Sequence, residues 1–138
     1  MLLKKYPKVD YKKLPKKLQE SYNFQKASSI LADYGFVTNL LKYDWMGADF
    51  LAQHKDGDWL KVQLKGTLTS DPKYEGKNIY IMFEDKKDNQ WYLYPHDELK
   101  KYNLTKNLKS SKSTKGYTTT NPSKDEKQWL SQYKVNLI

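Results

Sequence analysis

Two short runs of alternating apolar and polar residues constrain this chain more than any other feature of its sequence. The runs cover residues 48–54 and 59–65, and a Lys-Asp-Gly-Asp turn joins them. Alternation with a period of two is typical of a half-buried β-strand, and Asp-Gly between two such runs is a strong hairpin signal. We therefore predict a β-hairpin, with Leu60, Val62 and Leu64 on the core face of its second strand.

The remaining segments predict helices and strands around this hairpin. Apolar residues recur at helical spacing between Pro15 and Gly35, which predicts a helix at roughly 16–34. A capping-box pattern at Ser123 to Glu126 predicts a second helix after residue 123. Apolar runs with turn signals predict further strands at Phe36–Tyr43, Asn78–Phe83 and Trp91–Tyr94.

Two segments lack a hydrophobic period. Residues 1–14 are predicted to be an irregular basic arm, and residues 103–122, which are mostly Lys, Asn, Ser and Thr, are predicted to be a polar loop. The order of the elements predicts a single α/β (α+β) domain over residues 1–138, in which a mixed sheet is flanked by helices.

The charge of the chain favours a polyanionic partner. The formal net charge is +9, and all 25 cationic residues are lysines. Lysine binds phosphate well, but the chain has no guanidinium group for bidentate recognition of guanine. Lysine enrichment is also consistent with solubility alone, so the charge by itself leaves both interpretations open.

The chain has no cysteine, which excludes disulfides, thiolate metal sites and a cysteine nucleophile. Its N-terminus has too short an apolar run for a signal peptide, and no segment approaches the ~20 apolar residues of a membrane span. We therefore expect a soluble, cytoplasmic protein.

Polar residues of the hairpin suggest a chemical site. Gln63 and Lys65 share one face of their strand because they are two residues apart. If the loop is Asp56–Asp58, Asp49 lies opposite Lys65, and a carboxylate, an amide and an ammonium share one face. A two-residue loop would instead place Asp49 opposite Leu64 and separate the three groups. The cluster therefore depends on the register.

The motif Gly47-Ala48-Asp49, followed by a turn and a hydrophobic strand ending in Gln63-x-Lys65, resembles the PD-(D/E)XK nuclease superfamily. The resemblance covers roughly residues 16–95 and implies a restriction-endonuclease-like mixed sheet. It implies that Asp49 binds a metal ion, that Gln63 takes the Asp/Glu position, and that Lys65 is the motif lysine. Gln63 brings one negative charge fewer than a carboxylate, although its amide oxygen can still ligate a hard cation. Ala48 stands where the motif has proline.

The resemblance also implies an acidic residue on the first helix. The position about ten residues before Gly35 is Gln25, another amide. Glu20 is the alternative, because on a continuous helix it points toward an apolar stripe, where a carboxylate needs a partner. Both residues are therefore candidates for the site, and Glu20 is also a candidate metal ligand.

The function that the resemblance implies is hydrolysis of phosphodiester bonds in DNA by an endonuclease of the restriction, homing or junction-resolving type. Mg²⁺, or alternatively Mn²⁺, is the expected cofactor. A homodimer is expected, because one site cuts one strand. The alternative is a nuclease-fold module that binds nucleic acid or a protein without cleaving, since two amides replace the usual carboxylates.

Residues after the motif strand are expected to contact DNA. Lys73, Tyr74 and Lys77 are placed to touch phosphate, and the lysine-rich residues 106–115 would act as a clamp beside a nuclease cleft. A solvated loop is the alternative interpretation for both segments.

Overall fold

The computed structural model describes residues 2–106 and 116–135 of the chain. Their helices are α1 (Lys16–Ala32), α2 (His96–Thr105) and α3 (Lys124–Leu130). Their strands are β1 (Phe36–Trp45), β2 (Ala48–His54), β3 (Trp59–Lys65), β4 (Leu68–Ser70), β5 (Ile79–Asp85), β6 (Gln90–Pro95) and β7 (Tyr117–Thr119). None of the helices in these residues is both long and apolar enough to cross a membrane.

The strands form one mixed five-stranded sheet and one small two-stranded sheet. The large sheet has the order β1-β2-β3-β5-β6, in which β3 and β5 are parallel and the other neighbours are antiparallel. The small sheet pairs β4 with β7. The predicted α+β fold, with a mixed sheet flanked by helices, is confirmed.

Helices cover the two faces of the large sheet differently. On one face, Ala27 and Leu31 of α1 pack against Phe50, Val62 and Met82. On the other face, side chains of β5 and β6 are packed in a cluster that includes Leu99 of α2 and Trp129 and Leu130 of α3. Each fully buried Leu, Ile or Phe contributes roughly 1.5–3 kcal/mol to folding. On the second face, α2 and α3 thus cover β5 and β6.

Several boundaries differ from the predictions. β1 continues to Trp45, beyond the break expected after Tyr43. The polar loop predicted at 103–122 is wrong at both ends, because α2 continues to Thr105 and β7 pairs with β4. β-branched residues such as Thr118 and Thr119 suit a strand once a partner strand supplies hydrogen bonds. The middle of the predicted loop, residues 107–115, lies outside the described residues.

Specific hydrogen bonds order the segment before α1 and the start of α3. Residues 1–14 were expected to be irregular, but Tyr11–Lys13 form a 3-10 turn that α1 holds through the Gln19 side chain, whose Nε2 donates to the Tyr11 carbonyl at 3.0 Å. At the other end, Ser123 Oγ accepts the Glu126 amide at 3.2 Å, and Glu126 Oε1 accepts the Ser123 amide at 3.0 Å. The predicted capping box is confirmed.

Candidate active site

The predicted β2–β3 hairpin is confirmed, but its register differs from the expected one. Gln53 lies opposite Trp59 and Phe50 opposite Val62, and the His54 amide donates to the Asp58 carbonyl at 2.6 Å. The loop is therefore residues 55–57, and the same register brings Asp49 level with Gln63. The prediction that Asp49 lies opposite Lys65 was wrong by two residues. Because side chains alternate with a period of two, the three residues still share one face.

Asp49 lies where the pairing of β2 and β3 ends. The described register pairs stop at Phe50–Val62. Two residues further along β3, the Leu64 amide donates to Asp49 Oδ2 at 3.1 Å. β3 continues its parallel pairing with β5 as far as Lys65. The Asp49 carboxylate thus replaces a backbone acceptor at the point where β2 separates from β3.

The surroundings of Asp49 act on its charge in opposite directions. Partial burial raises the pKa of Asp49 above its ordinary value of 3.8, and the charge of Asp44 raises it further. The Leu64 amide, the Lys65 ammonium and the Gln63 side chain lower it. Burial is the largest of these effects, so ionising Asp49 has a desolvation cost that a bound cation would offset.

Lys65 extends over an aromatic ring at the same end of the sheet. Its Nζ lies 5.6 Å from the centroid of the Tyr74 ring, and Nζ of Lys73 lies 5.0 Å from the same centroid. An ammonium within about 6 Å of an aromatic face is attracted by the ring quadrupole. Tyr74 therefore helps to hold Lys65 beside Asp49.

Tyr74 is part of the protein interior, with 2% of its surface exposed. Its ring packs edge-on against the buried His96 ring at 5.4 Å. A residue this buried offers little surface to DNA, so the burial of Tyr74 disfavours its predicted contact with phosphate. The exposed Lys73 and Lys77 stay predicted phosphate contacts.

Gly47 makes the close packing of Tyr74 possible. A Cβ at Gly47 would lie 2.9 Å from Tyr74 Cδ1, and the φ of Gly47 is +87°. Met46, with φ +54°, and Gly47 form a two-residue turn of the kind in which both residues have positive φ, and Trp45 pairs with Ala48 across it. The glycine of the Gly-Ala-Asp sequence thus serves both the turn and the packing of the Tyr74 ring.

A cavity of about 800 Å³ connects the hairpin with α1. Asp49, Gln63 and Lys65 line it, and Glu20 lines it from the helix. Gln25 is not among the lining residues, and its side-chain amide donates to the Ser21 carbonyl at 3.4 Å and to Ser21 Oγ at 3.2 Å. Of the two candidates on α1, only Glu20 therefore lines the cavity.

Two further carboxylates in the cavity were missed in the sequence. Asp44 lines it from the end of β1, and the pairing of Trp45 with Ala48 brings Asp44 level with Asp49. The sequence signal for Asp44 was the Met46-Gly47 turn, because a two-residue turn pairs the residues on its two sides. Glu84 of β5 also lines the cavity; burial raises the pKa of Glu84, while Lys86 and Lys26 lower it.

The oxygen ligands around Asp49 suit a hard cation. Within residues 2–106 and 116–135, no group of three His, Cys, Asp or Glu side chains is arranged to hold a metal ion. A metal ion at Asp49 would therefore bind at most one further carboxylate, together with neutral oxygens such as that of the Gln63 amide. Carboxylate and amide oxygens are the ligands that Mg²⁺ prefers, and Mg²⁺ usually keeps several waters, so these residues fit it.

Comparisons with known proteins were informative at the level of the fold. No protein-family model matches the chain, and no curated protein sequence matches it significantly. Among solved structures, the fold is similar to that of a bacterial homing endonuclease, I-Ssp6803I, with a TM-score of 0.51, 15% sequence identity and coverage of 87% of each chain. At this identity the similarity shows a shared fold, which is thus one that a nuclease uses.

Proposed function

We propose that the protein is a metal-dependent endonuclease of the PD-(D/E)XK type that hydrolyses phosphodiester bonds in DNA. The observation that carries the proposal is the convergence of Asp49, Gln63, Lys65 and Glu20 on one cavity, at the point where β2 and β3 separate. The fold similarity to a homing endonuclease supports it independently.

In this proposal Asp49 and the Gln63 amide oxygen hold Mg²⁺ or Mn²⁺, with Glu20 on the opposite wall of the cavity. A metal ion bound there would polarise the scissile phosphate and lower the pKa of a bound water. Asp44, whose charge acts on Asp49, restores near the site the negative charge that Gln63 lacks. Lys65 stabilises the charge that develops on the phosphate during hydrolysis.

DNA is the proposed partner because the surroundings of the cavity are rich in lysine. Lys17, Lys42 and Lys86 line the cavity together with Lys65. Lysine–phosphate contacts release counterions and give binding that weakens steeply with salt. A homodimer would supply the two sites that cleavage of both strands requires.

A second candidate function is binding of nucleic acid or a protein partner without cleavage. The observations that favour it are the amide at Gln63 and the lack of a three-residue acidic or histidine cluster in the described residues. The two candidates differ in one property. The enzyme must bind a divalent ion at Asp49, whereas the binding module need not.

The test uses Asp49→Asn, in which an oxygen can still accept from the Leu64 amide while the charge is lost. Asp58→Asn is the matched control, because Asp58 is exposed at the far end of the same hairpin. Supercoiled, linear and branched DNA are incubated with each protein and Mg²⁺, and with chelator. We expect cleavage by the parent and by Asp58→Asn in Mg²⁺ alone, and none by Asp49→Asn.

Lys65→Ala separates chemistry from metal binding. Loss of one group that stabilises developing charge slows hydrolysis by about 10²–10³-fold, while the metal ion stays bound. The proposal fails if Asp49→Asn cleaves as fast as the parent. If all the proteins bind DNA and none cleaves it, the binding module is the correct function.

A further inference from the structure

The half of the sheet that α2 and α3 leave uncovered carries an exposed pair of tryptophans. Trp45 at the end of β1 is 45% exposed, and Trp59 at the start of β3 is 50% exposed. Trp91 and Trp129, by contrast, are 5% and 8% exposed within the core. Large aromatic surface left open on one face of a protein is typical of a binding site.

The two tryptophan rings pack against each other, and a lysine ammonium lies over one of them. Their centroids lie 6.2 Å apart with 21° between the ring planes, so they are stacked. Nζ of Lys61 lies 5.9 Å from the Trp45 ring centroid. Two residues before Trp45, Tyr43 is 76% exposed, and Lys42 Nζ lies 5.7 Å from its ring centroid. The patch thus combines flat aromatic surfaces with ammonium groups.

This patch is continuous with the cavity. Trp59, Lys61, Gln63 and Lys65 occupy alternate positions of β3 and therefore point to one face of the sheet. At about 3.3 Å per residue, Trp59 lies roughly 13 Å along the strand from Gln63. That distance corresponds to a few nucleotides of a strand whose phosphate lies in the cavity.

We propose that Trp45, Trp59 and Lys61 bind unpaired nucleotides of the substrate, with a base stacked on the tryptophan pair and its phosphate on the lysine. The proposal rests on the nucleic-acid partner of the proposed function and names its class: DNA with an overhang, a flap or a single-stranded branch beside the scissile bond. Bases in an intact duplex are stacked on one another and expose only their edges, so an aromatic platform selects unpaired ones. The interleaved lysines favour a phosphate-bearing partner over an apolar protein surface.

The test is direct binding in chelator, where no metal-dependent cleavage occurs. Labelled blunt duplex, duplex with a four-nucleotide overhang, and single strand are titrated with the parent, Trp45→Ala and Trp59→Ala. Tyr34→Ala is the control, because Tyr34 is 45% exposed near the C-terminal end of α1. Thermal melts check folding, and Trp59→Phe provides a second variant that keeps an aromatic ring.

We expect the parent to bind the overhang more tightly than the blunt duplex. Each alanine variant should lose about 5- to 150-fold in affinity for the overhang, the range that stacking of one base contributes, and little for the blunt duplex. Trp59→Phe should keep most of the affinity, and Tyr34→Ala should match the parent.

Equal binding of the overhang by Trp59→Ala and the parent would overturn the stacking site, as would a parent that prefers blunt duplex. A change in sedimentation of Trp59→Ala with unchanged DNA binding would identify the patch as an interface between copies instead. If the parent cleaves DNA but the alanine variants bind the overhang as tightly as the parent, only this inference is refuted and the catalytic proposal stands. If the parent binds the overhang more tightly than the blunt duplex, through the tryptophans, but does not cleave DNA, the stacking site is supported and only the catalytic proposal is refuted.

Discussion

Gly47→Ala tests the packing that places Lys65 beside Asp49. An alanine there must keep a φ of +87° and would put its Cβ 2.9 Å from Cδ1 and 3.2 Å from Cε1 of the buried Tyr74. The left-handed backbone costs a residue with a Cβ about 1–2 kcal/mol. Displacing a well-packed ring adds about 1–3 kcal/mol. The expected loss is therefore about 2–5 kcal/mol of unfolding free energy.

Two other glycines separate these contributions. Gly57, in the hairpin loop, has a φ of +104° and no atom within 4 Å of an added Cβ, so Gly57→Ala should cost only the backbone strain of about 1–2 kcal/mol. Gly66 has open space and no positive φ. Gly66→Ala should therefore leave stability unchanged or raise it by about 0.4–1 kcal/mol, because it restricts the unfolded chain.

Urea unfolding followed by circular dichroism gives the three free energies on one scale. The expected loss at Gly47 is a large fraction of the ~5–15 kcal/mol by which domains are stable, so the melting temperature should also fall. A Gly47→Ala protein no less stable than Gly57→Ala would refute the reasoning, because it would mean that the Tyr74 ring does not lie against Gly47.

Three further predictions concern the pKa of Asp49, the hydroxyl of Tyr94 and two surface lysines. Burial raises the pKa of Asp49 above 3.8, so the folded state binds a proton on Asp49 more tightly than the unfolded chain does. The stability that results is present below pH 3.8 and is lost as the pH rises through the raised pKa. Asparagine does not titrate, so in metal-free melts the stability of Asp49→Asn relative to the parent should increase from pH 3.5 to pH 7. A stability difference that does not change with pH would contradict this. Tyr94→Phe should lose about 1–3 kcal/mol in urea, since the buried Tyr94 hydroxyl donates to the Thr69 carbonyl at 2.8 Å and accepts its amide at 2.9 Å; a loss below ~0.5 kcal/mol would show that another group replaces it. Replacing Lys73 and Lys77 together by Ala should reduce the slope of log affinity for DNA against log salt by about 1–2, and an unchanged slope would place both lysines outside the interface.

The parts of the fold that the sequence predicted are those set by local periodicity. The alternating runs gave both strands of the hairpin, and the helical spacing gave α1 to within about two residues. The predicted register was wrong by two residues, and a shift of two residues keeps every side chain on its face, so Asp49, Gln63 and Lys65 still share one face; a shift of one residue would have separated them. The register depends on the loop conformation, where Gly57 adopts a positive φ and its amide donates to the His54 carbonyl at 2.9 Å.

Two features of the site were missed, one because it depends on contacts between distant segments and one because a short turn was not recognised. Tyr74 lies between two lysines in a polar stretch, which predicts an exposed residue, yet it is buried against Gly47 and His96 from other parts of the chain. Asp44 was assigned to a break after the first strand, although the turn at Met46 and Gly47 returns the chain directly and brings Asp44 level with Asp49. Local pattern cannot show the contacts of Tyr74, whereas the Met46-Gly47 turn was a local signal for the position of Asp44.

Titration calorimetry with Mg²⁺ tests the central claim most directly, because the claim is that Asp49 and Gln63 hold a divalent ion. The parent should show one site per chain, and Asp49→Asn should show none. Gln63→Glu should bind Mg²⁺ more tightly than the parent, because it adds a charge to an oxygen ligand already in position. Identical heats from the parent and Asp49→Asn, or weaker binding by Gln63→Glu, would contradict the account.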